Sequence, residues 1–242
     1  MHCSRKVKLI ILIFMSLSVY IIYNATNHHN INYTTIGDSL SYGKDCYGQI
    51  DYGYSDYVRD YLQETNKLKN YCKDYTKEEM TIDSLYNTLL SEQKMSNKNT
   101  NQTLKTILRD SDYLTMSIGL NDLLYKLSLT SNFTTENLNL IIAEISTSFD
   151  NLITEIRKVY NREIYVVGYY DLTTDNKFLN TAVTKLNNIY KSHPDVIYIS
   201  TKELTENPNV FLPNPNSYYP NYKGYQLISN KIITKMTKKL EK

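Results

Sequence analysis

Tyr33-Thr34-Thr35-Ile36-Gly37-Asp38-Ser39-Leu40 carries the first clue to the architecture. Aromatic and β-branched residues lead into a glycine, and a serine follows two positions later. That is a short strand over Tyr33–Ile36, broken at Gly37 and opening towards a helix. A second stretch repeats the pattern: Tyr113–Ile118 reads as a buried strand that runs into Gly119-Leu120-Asn121-Asp122. Two more strands are expected at Ile164–Val167, ending in Gly168, and at Val196–Ile199. Between them the apolar period is helical. Tyr54, Tyr57, Val58, Tyr61 and Leu62 predict a helix over Ser55–Asn66. Leu85, Leu89 and Leu90 mark a second helix, and Leu104, Ile107 and Leu108 a third. Long helices follow over Thr135–Tyr160, Lys177–Lys191 and Tyr222 to about Leu240. Strands separated by helices of this length make βαβ units, so the chain is expected to be one α/β domain with a parallel sheet.

Composition narrows the function. The chain has 242 residues, with 27 Lys and Arg against 25 Asp and Glu, a net charge of +2 spread along its length. Binding to nucleic acid calls for a concentrated basic face, so no nucleic-acid partner is expected. A hydrophobic share of 41% excludes a disordered chain. The aromatic residues are lopsided: 24 Tyr, 5 Phe and no Trp. With 26 Asn and three Ala, this is the bias of an AT-rich genome. Three cysteines make no disulfide framework and no C-x-x-C pair. Cys46 and Cys72 are open to either bridging or staying free. His2, His28, His29 and His193 show no ligand spacing, so neither a metal nor another cofactor is expected.

At the amino terminus Arg5, Lys6 and Lys8 precede fifteen residues, Leu9–Tyr23, whose clearly polar members are Ser16 and Ser18. A basic flank before an apolar run is the layout of an export signal. At about 1.5 Å of rise per residue the run is short for a core of about 30 Å, unless the helix starts at Val7. Tyr23-Asn24-Ala25 fits a small-residue cleavage pattern poorly. Residues 1–25 are therefore expected to be one apolar helix serving as an uncleaved signal anchor, with a cleaved signal peptide as the alternative. Residues 26–32 then form a juxtamembrane linker and 33–242 the domain. The expected location is the cell membrane, single-pass with the domain outside, or alternatively secretion.

Ligands of open parallel sheets bind beyond the carboxyl ends of the strands. Both distinctive turns belong there. Ser39 would expose a hydroxyl after the first strand, and Asn121 could aim an amide at an oxyanion. Either turn alone also has a purely structural reading, as a tight turn or a helix cap. Together they are more specific.

Gly37-Asp38-Ser39-Leu40 and Gly119-Leu120-Asn121-Asp122 resemble the nucleophile and oxyanion blocks of the SGNH or GDSL hydrolases, a family of serine esterases and lipases. Pro220-Asn221-Tyr222-Lys223-Gly224-Tyr225 is similar to the stretch that opens the family's last helix, and Tyr52-Gly53-Tyr54-Ser55-Asp56-Tyr57 to the segment after the nucleophile. The resemblance spans about residues 33–240. It implies a flavodoxin-like three-layer αβα sandwich with about five parallel strands. It also implies Ser39 as nucleophile, Asn121 as oxyanion donor, Gly119 as the turn of that block, and an acyl or acetyl ester as substrate. Two positions depart from the family. The last block usually reads Asp-x-x-His-Pro, whereas here it reads Asn216-Ser217-Tyr218-Tyr219-Pro220. Asn216 stands at the acid's place and Tyr219 at the general base's. Tyrosine ordinarily titrates near 10, which makes it a poor base at neutral pH. The family's second-block glycine is also missing: Lys73–Ser84 contains none, and Glu78 or Glu79 takes its place. The readings that follow are an ester hydrolase, a catalytically impaired domain binding an envelope glycan or acylated ligand, and a purely structural envelope protein that keeps the motifs as fold determinants.

Overall fold

The computed structural model describes residues 13–18, 31–91, 101–172 and 175–240. Residues 13–18 are helical (α1), and the rest of the expected amino-terminal anchor lies outside the described residues. Among the described residues no helix is long and apolar enough to cross a membrane. The domain then runs β1 (Ile31–Gly37), α2 (Ser39–Tyr42), α3 (Tyr54–Glu64), β2 (Leu68–Thr76), α4 (Ile82–Ser91), α5 (Leu104–Asp110) and β3 (Tyr113–Ser117). It continues with α6 (Leu120–Ser128), α7 (Thr135–Arg157), β4 (Ile164–Val167), α8 (Lys177–Ser192), β5 (Val196–Ile199), two short helices α9 (Glu203–Glu206) and α10 (Pro208–Phe211), and α11 (Tyr222–Leu240).

The five strands pair in parallel in the order β2-β1-β3-β4-β5. This is the flavodoxin-like strand order. Helices α3 and α11 pack together, and α7 packs with α4, α6 and α8. Every residue of β4 is buried, as befits a strand covered by helices on both faces. Around it Ile36, Leu114, Met116, Phe149, Leu152 and Ile228 are wholly enclosed.

Two boundaries differ from the sequence reading. β1 begins at Ile31, which is 3% exposed, so the last two residues of the expected linker belong to the sheet. β2 has no counterpart among the strands read from the sequence. Its residues, Leu-Lys-Asn-Tyr-Cys-Lys-Asp-Tyr-Thr, lie at the sheet edge and bury only the last three, so the apolar alternation that marks a strand is absent. Helix α3 stops where Asn66 takes a left-handed φ of 53°. There the amides of Asn66 and Lys67 close back onto the carbonyls of Gln63 and Leu62 (3.0 and 2.8 Å), a Schellman cap. Cys46 and Cys72 are not bridged to each other.

Candidate active site

The strand order reverses at β1, whose neighbours β2 and β3 leave it in opposite directions. The crevice beyond the carboxyl ends of β1 and β3 is therefore the expected ligand position. Both distinctive turns meet there.

Gly37 has φ 118°, and a Cβ at that position would sit 2.0 Å from the Ser117 carbonyl oxygen. Only glycine lets β1 lie that close to β3 while turning. Asp38 then donates its amide to the Ser117 carbonyl (2.8 Å), and its Oδ1 accepts from the Leu40 amide (3.1 Å), capping the one-turn helix α2. Ser39 is the first residue of that turn, 6% exposed. Its carbonyl accepts from the amides of Gly43 and Lys44 (both 3.0 Å).

Beneath Ser39 runs a buried chain of hydroxyls. Tyr54 OH meets Ser41 Oγ at 2.6 Å, Ser41 Oγ meets Ser117 Oγ at 2.7 Å, and Ser117 Oγ donates to Asp38 Oδ1 at 2.6 Å. Tyr169 OH donates to Asp38 Oδ2. Burial raises the Asp38 carboxyl to about 6, against these donors, which pull it down. Both of its oxygens are thus already engaged, and Asp38 holds the turn rather than reaching the Ser39 hydroxyl.

Gly119 caps α6 with φ 105°, and a Cβ there would meet Tyr190 OH at 2.5 Å. Asn121, in the first turn of α6, donates one N–H of its amide to the Met80 carbonyl (2.9 Å). Its other N–H is available to the cavity it lines. Asp122 accepts the Ile82 amide on both carboxylate oxygens (3.1 Å each), which ties α6 to the start of α4. Between β2 and α4, Met80 N–H closes a turn onto the Lys77 carbonyl (3.4 Å), with Glu79 at its third position and φ 56°. A positive φ at that position is where a turn ordinarily carries glycine. The missing glycine therefore leaves its conformation behind, adopted by a glutamate. Glu78 pairs with Lys44 at 2.6 Å.

The loop before α11 closes the site. Tyr170 OH donates to the Tyr218 carbonyl. The Tyr218 and Tyr219 rings lie 4.7 Å apart, and Lys44 Nζ sits 5.2 Å from the centre of the Tyr219 ring. Gly224 leaves room for Pro220, whose Cβ would lie 2.6 Å from an added Cβ, and Tyr225 OH donates to the Lys44 carbonyl.

These elements enclose a cavity lined by Ser39, Leu40, Leu120, Asn121, Tyr169, Tyr170, Leu172, Tyr218 and Tyr219, with Asp38 at its floor. Its free volume, about 10 Å³, is about that of one water site. Of the residues expected from the sequence, Ser39, Asn121 and Tyr219 converge here, with Gly119 turning the chain into α6. Asn216 does not join them: it is exposed, and its backbone N–H donates to Asn214 Oδ1 (3.0 Å). Tyr169, Tyr170 and Leu172 were missed by the residue reading. They follow β4 directly, so the rule that ligands sit beyond strand carboxyl ends was the available signal. Burial pushes the phenols of Tyr169, Tyr170 and Tyr218 above their ordinary range, leaving them protonated.

Among the described residues Ser39 Oγ has no hydrogen-bond partner. The described histidine, His193, stands between α8 and β5 at the amino end of the sheet, with Nε2 3.4 Å from Asp150 Oδ1 and its ring edge-on to Phe149. Among the described residues no cluster of three or more His, Cys, Asp or Glu is placed to hold a metal ion.

The fold and this site define an αβα domain with a serine and an asparagine facing one cavity at the switch point of the sheet. The chain belongs to the GDSL-like lipase/acylhydrolase family, whose model matches residues 33–232. It is a GDSL-type esterase/acylhydrolase domain. Solved structures share the fold at low identity. The lipase Lip_vut3 from a goat rumen metagenome superposes with a TM-score of 0.68 at 15% identity, over 85% of this chain and 97% of that one. A catalytic mutant of Axe2, an acetylxylan esterase from Geobacillus stearothermophilus, gives 0.62 at 15%, over 84% and 93%. A member of the lipolytic G-D-S-L family from Veillonella parvula gives 0.57 at 13%, over 85% and 97%. No curated protein matches the chain.

Proposed function

We propose that the domain hydrolyses acyl or acetyl esters through Ser39, at a rate limited by the absence of a general base. The observation that carries this reading is the convergence of the Ser39 hydroxyl and the Asn121 amide on one small cavity. In the proposed sequence Ser39 Oγ attacks the ester carbonyl carbon, and the oxyanion takes hydrogen bonds from the Asn121 amide and the Ser39 backbone N–H. The tetrahedral species collapses by expelling the alcohol, which leaves with a proton, and water then cleaves the acyl-Ser39 ester to release the acid. A serine hydroxyl is a weak nucleophile until a neighbouring base accepts its proton. With no imidazole beside it among the described residues, the Ser39 proton passes to solvent. A positioned base is typically worth about 10²–10⁴ in rate, so turnover should fall short of a complete triad by that order.

A second reading has one observation in its favour. The Tyr218–Tyr219 pair occupies the place of the base and presents aromatic faces beside the nucleophile, which suits a domain that binds an acylated ligand or envelope glycan without turning it over. The two readings separate on treatment of the full chain with a fluorophosphonate probe and p-nitrophenyl acetate. The hydrolase reading expects slow labelling and turnover that vanish in Ser39→Ala. Absence of both in the unmodified chain would leave the binding reading.

For location, the basic residues Arg5, Lys6 and Lys8 ahead of Leu9–Tyr23 support a domain held outside the cell membrane by its amino-terminal segment, or secreted once that segment is cut. Cleavage of the domain by protease added to intact cells tests it.

A further inference from the structure

The free edge of β5 borders a groove of about 660 Å³ between the end of α8 and one face of α11. Tyr198, Ile199 and Leu227 give it an apolar floor, with Ser200, Asn230 and Thr234 beside them. Its rim is basic: Lys191 comes from α8, and Lys231, Lys235 and Lys238 come from α11. Lys231 is engaged, since it pairs with Glu203 and donates to the Ser200 carbonyl (2.9 Å). Lys191, Lys235 and Lys238 are exposed, and none pairs with an acid among the described residues. The carbonyl-bearing ends of α8 and α11 favour some of this charge. Three unpaired ammonium groups around one groove nevertheless repel each other until an anion joins them.

The groove reaches the end of the molecule where the chain enters the domain. Helix α8 ends at Ser192, just before β5 begins, and α11 starts beside the Ser39 cavity and runs back along the sheet. Lys191 and Lys238 therefore mark the amino end of the strands. Ile31, the first residue of β1, stands at that end too, three strand spacings or about 14 Å from β5. Residues 24–30 join it to the apolar run Leu9–Tyr23, a reach of at most about 28 Å. Lys69 is exposed beside Leu68, the register partner of Ile31. Of the acids at this end, Asp112 pairs with Arg162 (3.0 Å) and Asp195 with Arg157 (3.7 Å), which leaves Asp110 against its neighbour Arg109. Ser39 lies at the opposite end of the strands.

We infer that the lysine-rimmed groove and the adjoining amino end of the sheet lie on an anionic lipid surface, with the Ser39 cavity facing away from it. This rests on reading residues 1–25 as a membrane anchor, and it adds an orientation: the ester reaches Ser39 from the aqueous side. Lipid is favoured over a soluble polyanion because Leu9–Tyr23 would hold this end of the domain within reach of a bilayer. Residues 1–30 contain no Asp or Glu, so they offer the lysines no counter-charge of their own. Each lysine near such a surface is worth about fivefold in affinity, so three are worth about 10²-fold.

Two measurements on the full chain test this. In the first, the chain is held in nanodiscs of phosphatidylcholine, alone or with an equal share of phosphatidylglycerol. Lysine acetylation by N-hydroxysuccinimidyl acetate is then read by mass spectrometry. Lys191, Lys235 and Lys238 should react about tenfold more slowly on the anionic discs. They should recover in about 1 M salt, where the screening length falls to about 3 Å. Lys177 and Lys223, at the helix starts on the Ser39 side, should react alike on both. In the second measurement, partition into vesicles of the same compositions is compared with that of Lys191→Gln/Lys235→Gln/Lys238→Gln. The variant should lose about 10²-fold on anionic vesicles and nothing on neutral ones. Its thermal melt and p-nitrophenyl acetate turnover should stay in place, and the amino-terminal segment, common to both chains, cancels.

Equal acetylation on both discs, protection of Lys177 and Lys223 instead, or unchanged partition of the variant would each overturn the proposal. So would equal protection by soluble polyglutamate, which would assign the groove to a soluble polyanion. Protection on anionic discs, in a chain whose domain survives protease added to intact cells, would defeat the location reading and leave the surface standing. A domain cut on intact cells, with lysines that stay reactive on anionic discs, would do the reverse.

Discussion

Glu79 holds a backbone conformation that suits glycine, with φ 56° at the third position of the Lys77–Met80 turn. A left-handed φ costs a residue with a Cβ about 1–2 kcal/mol. Glu79→Gly should therefore stabilise the domain by about 1 kcal/mol, read as a rise of about 2–4 °C in Tm, whereas Glu79→Ala should give no gain. Asp38 makes the opposite kind of concession. Burial raises its folded pKa from 3.8 to about 6, so the folded state binds its proton more tightly than the unfolded chain does. The stability it contributes is complete below about pH 4 and is lost as pH rises through about 6. Relative to Asp38→Asn, which does not titrate, the wild-type unfolding free energy should fall by about 2 kcal/mol between pH 4 and pH 7 in denaturant titrations. A flat difference would mean the carboxyl keeps its ordinary pKa.

The edge strand β2 and helix α3 show how an element with little apolar signal is held. Asp56, 5% exposed, accepts from the Gly53 amide (2.9 Å) and Tyr71 OH (3.2 Å) and pairs with Lys73 Nζ (2.6 Å) and Arg59 Nη1 (3.2 Å). One carboxylate thus caps α3 and pins β2 to it. Asp56→Ala strips the partner from a mostly buried ammonium and an amide, at a cost of about 3 kcal/mol. Urea unfolding should show that loss. Such a polar tie has no periodicity, and Leu68–Thr76 does not announce itself as a strand. Ile164–Val167 does, because a central strand of a covered parallel sheet must be apolar throughout.

At the level of the whole molecule, the decisive fact is which residues converge. Tyr219 reaches the Ser39 cavity and Asn216 stays in solvent. Tyr219→His alone should therefore raise Ser39-dependent esterase activity, by about 10²-fold, with a new inflection near pH 6.5 in the rate profile. Adding Asn216→Asp should contribute little beyond it. Equal activity of Tyr219→His and wild type would show that an imidazole there does not reach Ser39. The strand–glycine turns at Gly37 and Gly119, the buried strands and the α/β class were legible in the chain. They follow from local rules: hydrophobic period, β-branched residues, and glycine where φ is positive. The same local reading located Ser39 and Asn121 as candidates, and the family resemblance added Tyr219. The edge strand β2 was not legible because its residues show no apolar alternation, and the cavity walls at Tyr169, Tyr170 and Leu172 were not because the residues they face come from segments far apart in sequence. Sequence by itself determined the fold class and the missing imidazole. Only tertiary packing decided which side chains meet, since contact across the switch point depends on how five strands and their crossovers close around one core.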